Sequence, residues 1–273
     1  MTRVLASDLD RTLVHSSARM APDEVDSPVI EIYKGRGITV TRQATLDALA
    51  ALHETGGFIP VTTRSKEQVA RIEPIWAMAQ TGWLVCTNGA TILRHGKVDA
   101  AWEAQIDQLC ADSAPLAQAH AAFTAEFGTP ETVDWMPLLR DCDGVFLYCT
   151  LKLDLSPRDL ESRANQLFAP LGWRAILHGR KLYALPNGVC KGRAAQYLRE
   201  RLEIDELMAA GDSELDVELL LAAEHRWCPI DAELVEHGAV PPRTRLTQLG
   251  HVGAGEEIAL DALRWARETV AAG

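Results

Sequence analysis

Four small polar clusters in this chain carry the residue types that phosphoryl transfer needs. Asp8 and Asp10 stand two positions apart with Thr12 behind them; Thr62, Thr63 and Arg64 form the second cluster; Lys191 is the third; Asp212, Ser213 and Asp216 are the fourth. Each has a plain structural reading: an acidic turn, a helix cap, a solvated lysine, a capped helix with an acidic first turn. In this order and together they are harder to explain as structure. Hydrolysis of a phosphate ester is among the slowest uncatalysed reactions. It needs charge neutralised on the equatorial oxygens, a nucleophile in line and a proton for the leaving oxygen. Three carboxylates suit Mg²⁺, a hard cation that takes oxygen ligands. The cation lets an anionic carboxylate approach an anionic phosphate. Lys191 adds positive charge from the other side, and Thr62 a hydroxyl and a backbone N–H at a helix start. A carboxylate can then attack as a covalent nucleophile.

The elements that must position these residues follow from the apolar runs. Val4, Leu5 and Ala6 read as a buried parallel strand that delivers Asp8 and Asp10 to its carboxyl end, where ligands sit in open α/β sheets. Thr41 caps a predicted helix to about Glu54 with Ala44, Leu46, Leu49 and Leu52 on its apolar face, stopped by Gly56 and Gly57. Residues 58–61 are the next strand and end in the threonine cluster; a helix follows from about Lys66, then a strand over 84–86 that ends in Thr87, Asn88 and Gly89. Strand–helix–strand–helix–strand is the mark of a parallel sheet with crossover helices. The rhythm resumes late: a helix from Lys191 to about Leu202, a strand over 207–210 that ends in the fourth cluster, a helix over about 214–224, a strand over 227–230, and a closing amphipathic helix over 255–271 with Ile258, Ala262, Leu263, Ala266 and Val270 on one face.

The middle of the chain departs from this alternation. Residues 105–127 read as one helix or a broken pair, 144–153 as a strand, and Ser156 as the cap of a helix bearing Leu160 and Leu167. Residues 173–177 and 181–185 are two further strands. This predicts an α+β module inserted into a Rossmann-like α/β core, with residues 1–90 and 186–273 as core and 91–185 as insert. A second, smaller insert spans residues 16–42. Its stretch 28–41 alternates Val29, Glu31, Tyr33, Ile38 and Val40 about a glycine-containing turn, which reads as a β-hairpin. It is expected to shield the site or shape its pocket.

Composition narrows the class. A formal net charge of −11 over 273 residues argues against a nucleic-acid footprint. The apolar run near the start stops at Asp8, so no signal peptide is read, and no run is long enough to span a membrane. The six cysteines form no C-x-x-C pair and are expected as free, mostly buried thiols of a reduced, cytoplasmic protein. A monomer or homodimer is expected.

The residues also carry a family resemblance. D-L-D-R-T, the V-T-T-R strand end, the late lysine and G-D-S-E-L-D resemble, in order, the four motifs of the haloacid dehalogenase (HAD) superfamily of phosphohydrolases, over residues 4–220. The place of the large insert and the Asn88–Gly89–Ala90 turn before it resemble the type IIB cap group, which includes Cof-like and sucrose-phosphate phosphatases. The runs DLDRTLVHS and PVTTRS-x-x-Q-x-x-R further resemble HAD proteins found with tellurite-resistance genes. The resemblance implies that Asp8 is the nucleophile that forms an aspartyl-phosphate and that Asp10 protonates the leaving oxygen and then activates water. Asp8, the Asp10 carbonyl and Asp212 would hold Mg²⁺. Thr62 and Lys191 would bind the phosphoryl group, Ser213 and Asp216 would steady this set from behind, and Arg64 and Asn88 would touch substrate. Tyr148, Lys152, Arg180 and Lys181 of the cap are candidates for choosing the leaving group. The implied function is a phosphomonoesterase acting on a small phosphorylated metabolite such as a sugar phosphate. A phosphomutase or phosphotransferase of the same fold, or a non-catalytic metabolite binder, is the alternative. Three positions depart from the family pattern: Arg11 and Thr63 each stand where glycine is common, and Leu215 where asparagine is common.

Overall fold

The computed structural model of the protein describes residues 1–20 and 27–268. The chain divides into two compact units: Met1–Trp102 with Cys190–Gly273, and Glu103–Val189.

The first unit is built on β1 (Arg3–Ser7), whose Val4, Leu5 and Ala6 are fully buried, as a strand covered on both faces requires. β2 (His15–Ser16), β3 (Val29–Tyr33) and β4 (Arg36–Val40) form a small antiparallel sheet in the order β2-β4-β3. After α1 (Gln43–Glu54), β5 (Phe58–Pro60) runs parallel to β1. Then come α2 (Lys66–Val69), α3 (Glu73–Thr81) and β6 (Trp83–Cys86). A parallel bridge from Val61 to Val85 joins β6 to the end of β5. The chain turns back antiparallel through β7 (Thr91–Arg94) and β8 (Lys97–Val98) and enters α4 (Ala100–Leu109).

The second unit holds α5 (Leu116–Phe127), β9 (Leu138–Cys142), β10 (Phe146–Thr150), α6 (Leu160–Phe168), β11 (Trp173–His178) and β12 (Lys181–Pro186). Its four strands form an antiparallel sheet in the order β11-β12-β10-β9. Phe123, Phe168 and Trp173 stack in its core. Lys181 lies over the ring of Tyr148, so these two pocket candidates hold each other.

The chain then completes the first unit with α7 (Lys191–Arg201), β13 (Glu206–Ala210), α8 (Val217–Leu221), β14 (His225–Cys228), α9 (Glu233–Glu236), β15 (Arg245–Leu246) and α10 (His251–Arg267). Its parallel sheet has the order β15-β14-β13-β1-β5, which puts β1 between β5 and β13. Leu5, Leu49, Leu52, Phe58, Ile258 and Ala262 share one hydrophobic cluster that fixes α1 and α10 against the sheet. This is an α/β core with a parallel sheet and an α+β second unit. Among the described residues no helix is long and apolar enough to cross a membrane. Among the described residues no disulfide joins the six cysteines, and all but Cys110 are buried.

Several local expectations change. The units divide at 102/103 and 189/190 rather than at the expected 90/91 and 185/186; at the first boundary β7 pairs back onto β6 and β8 onto β7, which keeps these strands in the first unit. Thr41 does not cap α1: its hydroxyl donates to the Leu13 carbonyl, and Arg42 is the cap residue without a side-chain bond. Ser156 bonds the Leu153 carbonyl, and the helix begins later, at Leu160. The helix expected over 214–224 is a 3₁₀ turn followed by the short α8. Val270 lies outside the described residues, as does part of the 16–42 insert.

Candidate active site

The polar clusters meet at the carboxyl ends of β1, β5 and β13. Asp8 donates its backbone N–H to the Ala210 carbonyl, and Val61 donates its own to the Ser7 carbonyl, so the strand end that bears Asp8 is pinned on both sides. Lys191, the first residue of α7, is 1% exposed and projects between two acids. Its Nζ is 2.6 Å from Asp8 Oδ1 and 2.6 Å from Asp216 Oδ1. Burial of an ammonium is costly unless it is paired. Here burial alone would lower its pKa, but the charges of Asp216 and Asp8 outweigh burial and hold it above its ordinary value.

The acids respond in the opposite sense. Burial pushes Asp8 up to about 7, opposed by Lys191 and helped by Asp216 and Asp10. Asp212 is also held well above its ordinary value, by burial and by the charges of Asp216 and Asp8, against Arg11 and Lys191. Asp216 is held on every side: its Oδ2 accepts from the backbone N–H groups of Asp212 and Ser213 and from the Ser213 hydroxyl. Gly211 makes this turn possible, since a Cβ there would lie 2.3 Å from that of Asp216.

One carboxylate oxygen is left over. Asp212 Oδ2 is buried and accepts no hydrogen bond, with Arg11 Nε at 3.5 Å. One oxygen each from Asp8, Asp212 and Asp216 lie within 4.8 Å of one another. A buried, unbonded carboxylate oxygen among hard donors fits a divalent cation, which would relieve the repulsion among the three acids.

Thr62 and Arg64 sit where expected, but with different partners. The Thr62 N–H donates to Val85 O and is not free for a phosphate, because β6 joins the end of β5 at this point. Its hydroxyl accepts from the Arg64 N–H. The helix begins only after Ser65, which forms a capping box with Gln68. Arg64 does not present its guanidinium to an open pocket. It grips Asp10 with two bonds, Nε to Oδ2 at 2.6 Å and Nη2 to Oδ1 at 2.7 Å, and gives Nη1 to Glu31 at 2.8 Å.

Asn88 adopts the left-handed region (φ 55°) between Thr87 and Gly89, which also have positive φ. It is 1% exposed, and neither its Oδ1 nor its Nδ2 has a hydrogen-bond partner. Its backbone N–H donates to Thr62 O, and the adjoining Gly89 packs so closely that a Cβ would lie 2.3 Å from Cys190 O. The turn thus wedges an orphaned amide between the Thr62 loop and the start of α7. Leu215, at the departing position of the fourth motif, is buried.

Two charged residues were not legible as site members. Glu31 reads in sequence as one position of an alternating strand, yet it joins Arg64 and Arg71. Arg11 reads as a tolerated replacement, yet it reaches Asp212 and Glu233. The available signal was the S-x-x-Q-x-x-R run, whose last residue is Arg71.

By sequence, no protein-family model and no curated protein matches this chain. By structure, it superposes over nearly its whole length on phosphatases. The sucrose-phosphatase of Synechocystis, solved with sucrose and phosphate, matches with a TM-score of 0.68 at 16% identity, covering 96% of this chain and 98% of that one. The chain folds like the HAD-superfamily phosphatases. A subclass IIB sugar phosphatase of that superfamily matches with a TM-score of 0.61 at 14% identity, over 97% of this chain and 99% of that one. A HAD phosphatase from Bacteroides thetaiotaomicron matches at 0.58 and 18% identity, over 97% of this chain and 96% of that one. The HAD-like fold with its cap accounts for the parallel core and the separate antiparallel unit.

Proposed function

We propose that the protein is a divalent-cation-dependent phosphomonoesterase that works through a phosphorylated Asp8. The observation that carries this reading is Lys191 Nζ at 2.6 Å from both Asp8 and Asp216, beside the unbonded Oδ2 of Asp212. Such an array holds one ammonium and three acids in a buried cluster, where each charge acts strongly. Asp8, Asp212 and the Asp10 carbonyl would hold Mg²⁺, with Asp216 keeping Lys191 and the Asp212–Ser213 turn in place. The bound cation supplies charge neutralisation for the acids and the phosphoryl oxygens.

Asp8 attacks phosphorus as the bond to the leaving oxygen breaks, and Asp10 gives that oxygen its proton. Water then attacks the phosphorus of the acylphosphate while Asp10 takes a proton from that water, and the Asp8–phosphorus bond breaks to release inorganic phosphate. Lys191 and the Thr62 hydroxyl bind the phosphoryl oxygens, and the unpartnered Asn88 amide meets a polar group of the substrate. Small, polar phosphate esters, sugar phosphates first among them, are the expected substrates, in keeping with the sucrose-phosphatase and sugar-phosphatase neighbours. A phosphatase screen over phosphorylated metabolites with and without Mg²⁺ tests this. Release of phosphate that needs Mg²⁺ and Asp8 supports it; transfer to an added acceptor without free phosphate favours a transferase; ligand-dependent stabilisation without turnover favours a binder.

A further inference from the structure

Strand β3 buries an acid beside an isoleucine. Val29 is 52% exposed and Ile32 67%, while Ile30, which joins the main hydrophobic cluster, is 7% and Glu31 1% exposed. Register shifts on both sides of Glu31 in its pairing with β4 turn the acid inward. A hairpin that served only to pack would bury Ile32 and expose Glu31; this one does the reverse at those two positions. Burying the acid requires partners, and three are supplied. Thr39 donates its hydroxyl to Oε2 at 2.5 Å, Arg64 Nη1 to the same oxygen at 2.8 Å, and Arg71 Nε to Oε1 at 2.9 Å. A backbone bridge from Glu31 to Ile72 ties the strand to the segment that carries Arg71.

The decisive partner is Arg64. A guanidinium is planar and presents its donors in a fixed fork. One edge of that fork clasps both oxygens of Asp10, and the next donor ends on Glu31. With only Asp10, whose side chain is 44% exposed, the long arginine would be held from one side. Glu31, with no exposure of its side chain, is the fixed end of the chain of contacts. We propose that Glu31 is a positioning residue for Asp10: the hairpin insert sets the plane of the Arg64 guanidinium and, through it, the direction of the Asp10 carboxylate. This rests on the reading of Asp10 as the group that moves protons. It gives the insert a part in that reading that neither the fold nor the motifs assign.

The test uses the full-length protein with Mg²⁺ and two variants. Glu31→Gln keeps the shape and removes the charge. Thr39→Val leaves the charge and removes one bond, and it serves if the first variant does not fold. The first readout needs no activity: the ¹H–¹⁵N signal of the Arg64 Nε–H, assigned by its loss in Arg64→Lys, reports the bond to Asp10. Its solvent exchange is expected to quicken about tenfold or more in Glu31→Gln, and less in Thr39→Val. The second readout is steady-state kinetics on a phosphomonoester found by the screen. kcat is expected to fall about tenfold or more with KM nearly unchanged, and to fall further for alkyl than for p-nitrophenyl esters, whose leaving oxygen needs no proton. Unchanged Nε–H exchange overturns the proposal, as does faster exchange with intact kcat. If the parent protein releases no phosphate from any ester, the phosphatase reading fails, and the exchange rate still decides whether Glu31 holds the Arg64–Asp10 pair.

Discussion

Arg11 stands in the left-handed backbone region, at φ 63°, and holds its Nε 3.5 Å from Oδ2 of Asp212. A long side chain in that region costs about 1 kcal/mol or more, which glycine avoids. The guanidinium also lies 3.7 Å from the buried Glu233. It therefore sets a fixed positive charge beside the oxygen proposed to take a metal. Replacing it with glycine removes this competitor. The expected outcome for Arg11→Gly is tighter Mg²⁺ binding by about three- to tenfold, with a larger metal-dependent rise in Tm than the parent shows. Calorimetric titration and thermal melts with and without Mg²⁺ measure both. An equal rise in the two proteins would show that Arg11 does not oppose the metal.

Asp8→Asn changes the oxygen proposed to attack phosphorus and little else. Lys191 keeps its bond to Asp216, and one of three crowded negative charges is gone. Turnover is expected to fall about a thousandfold or more. The metal-free Tm is expected to hold or rise. A variant that turns over like the parent would assign the nucleophile elsewhere.

At Asp8 the proposed cation would compete with protons. Burial raises this carboxyl from 3.8 to about 7, so below neutral pH a bound cation must displace a proton. Apparent Mg²⁺ affinity is expected to climb from pH 6 to pH 8, by at most about tenfold per unit, and to level off above the titration. The Asp8→Asn variant should show a flatter profile. Titrations at several pH values check this, and an affinity independent of pH in the parent would contradict it.

His15 makes a separate contribution to acid stability. Burial lowers it from 6.5 to about 4, against the pull of Asp231. Between those values the unfolded chain binds more protons than the folded one, so stability rises with pH across that window and is lost as pH falls through it. Full expression of such a shift is worth roughly 3 kcal/mol. Asp8 and Asp212, raised rather than lowered, slope the other way, so the comparison must be between variant and parent. His15→Gln is expected to lose less stability than the parent between pH 6.5 and 4.5, read from urea midpoints. Parallel profiles would place the proton uptake on another group.

The sequence by itself determined the parallel core and the edge at which its polar clusters gather. Apolar runs at residues 4–6, 58–61 and 207–210 are short, continuous and followed at once by polar residues. A strand buried on both faces can only read that way. Asp8, Thr62 and Asp212 could therefore be placed at one sheet edge from the sequence, with Lys191 at the start of a helix. Tertiary structure alone decided what each charge does there. Glu31 and Arg64 lie far apart along the chain, and alternation in the hairpin gave no sign that the acid faces inward, because bulges reset the pleat. Thr62 lost its N–H to β6 through a pairing that strand composition does not encode. Arg11 looked like a tolerated exchange until its guanidinium was found beside Asp212. Periodicity reports which side of an element is buried. The partner of a charge is chosen by distance in three dimensions, and a buried charge must find one.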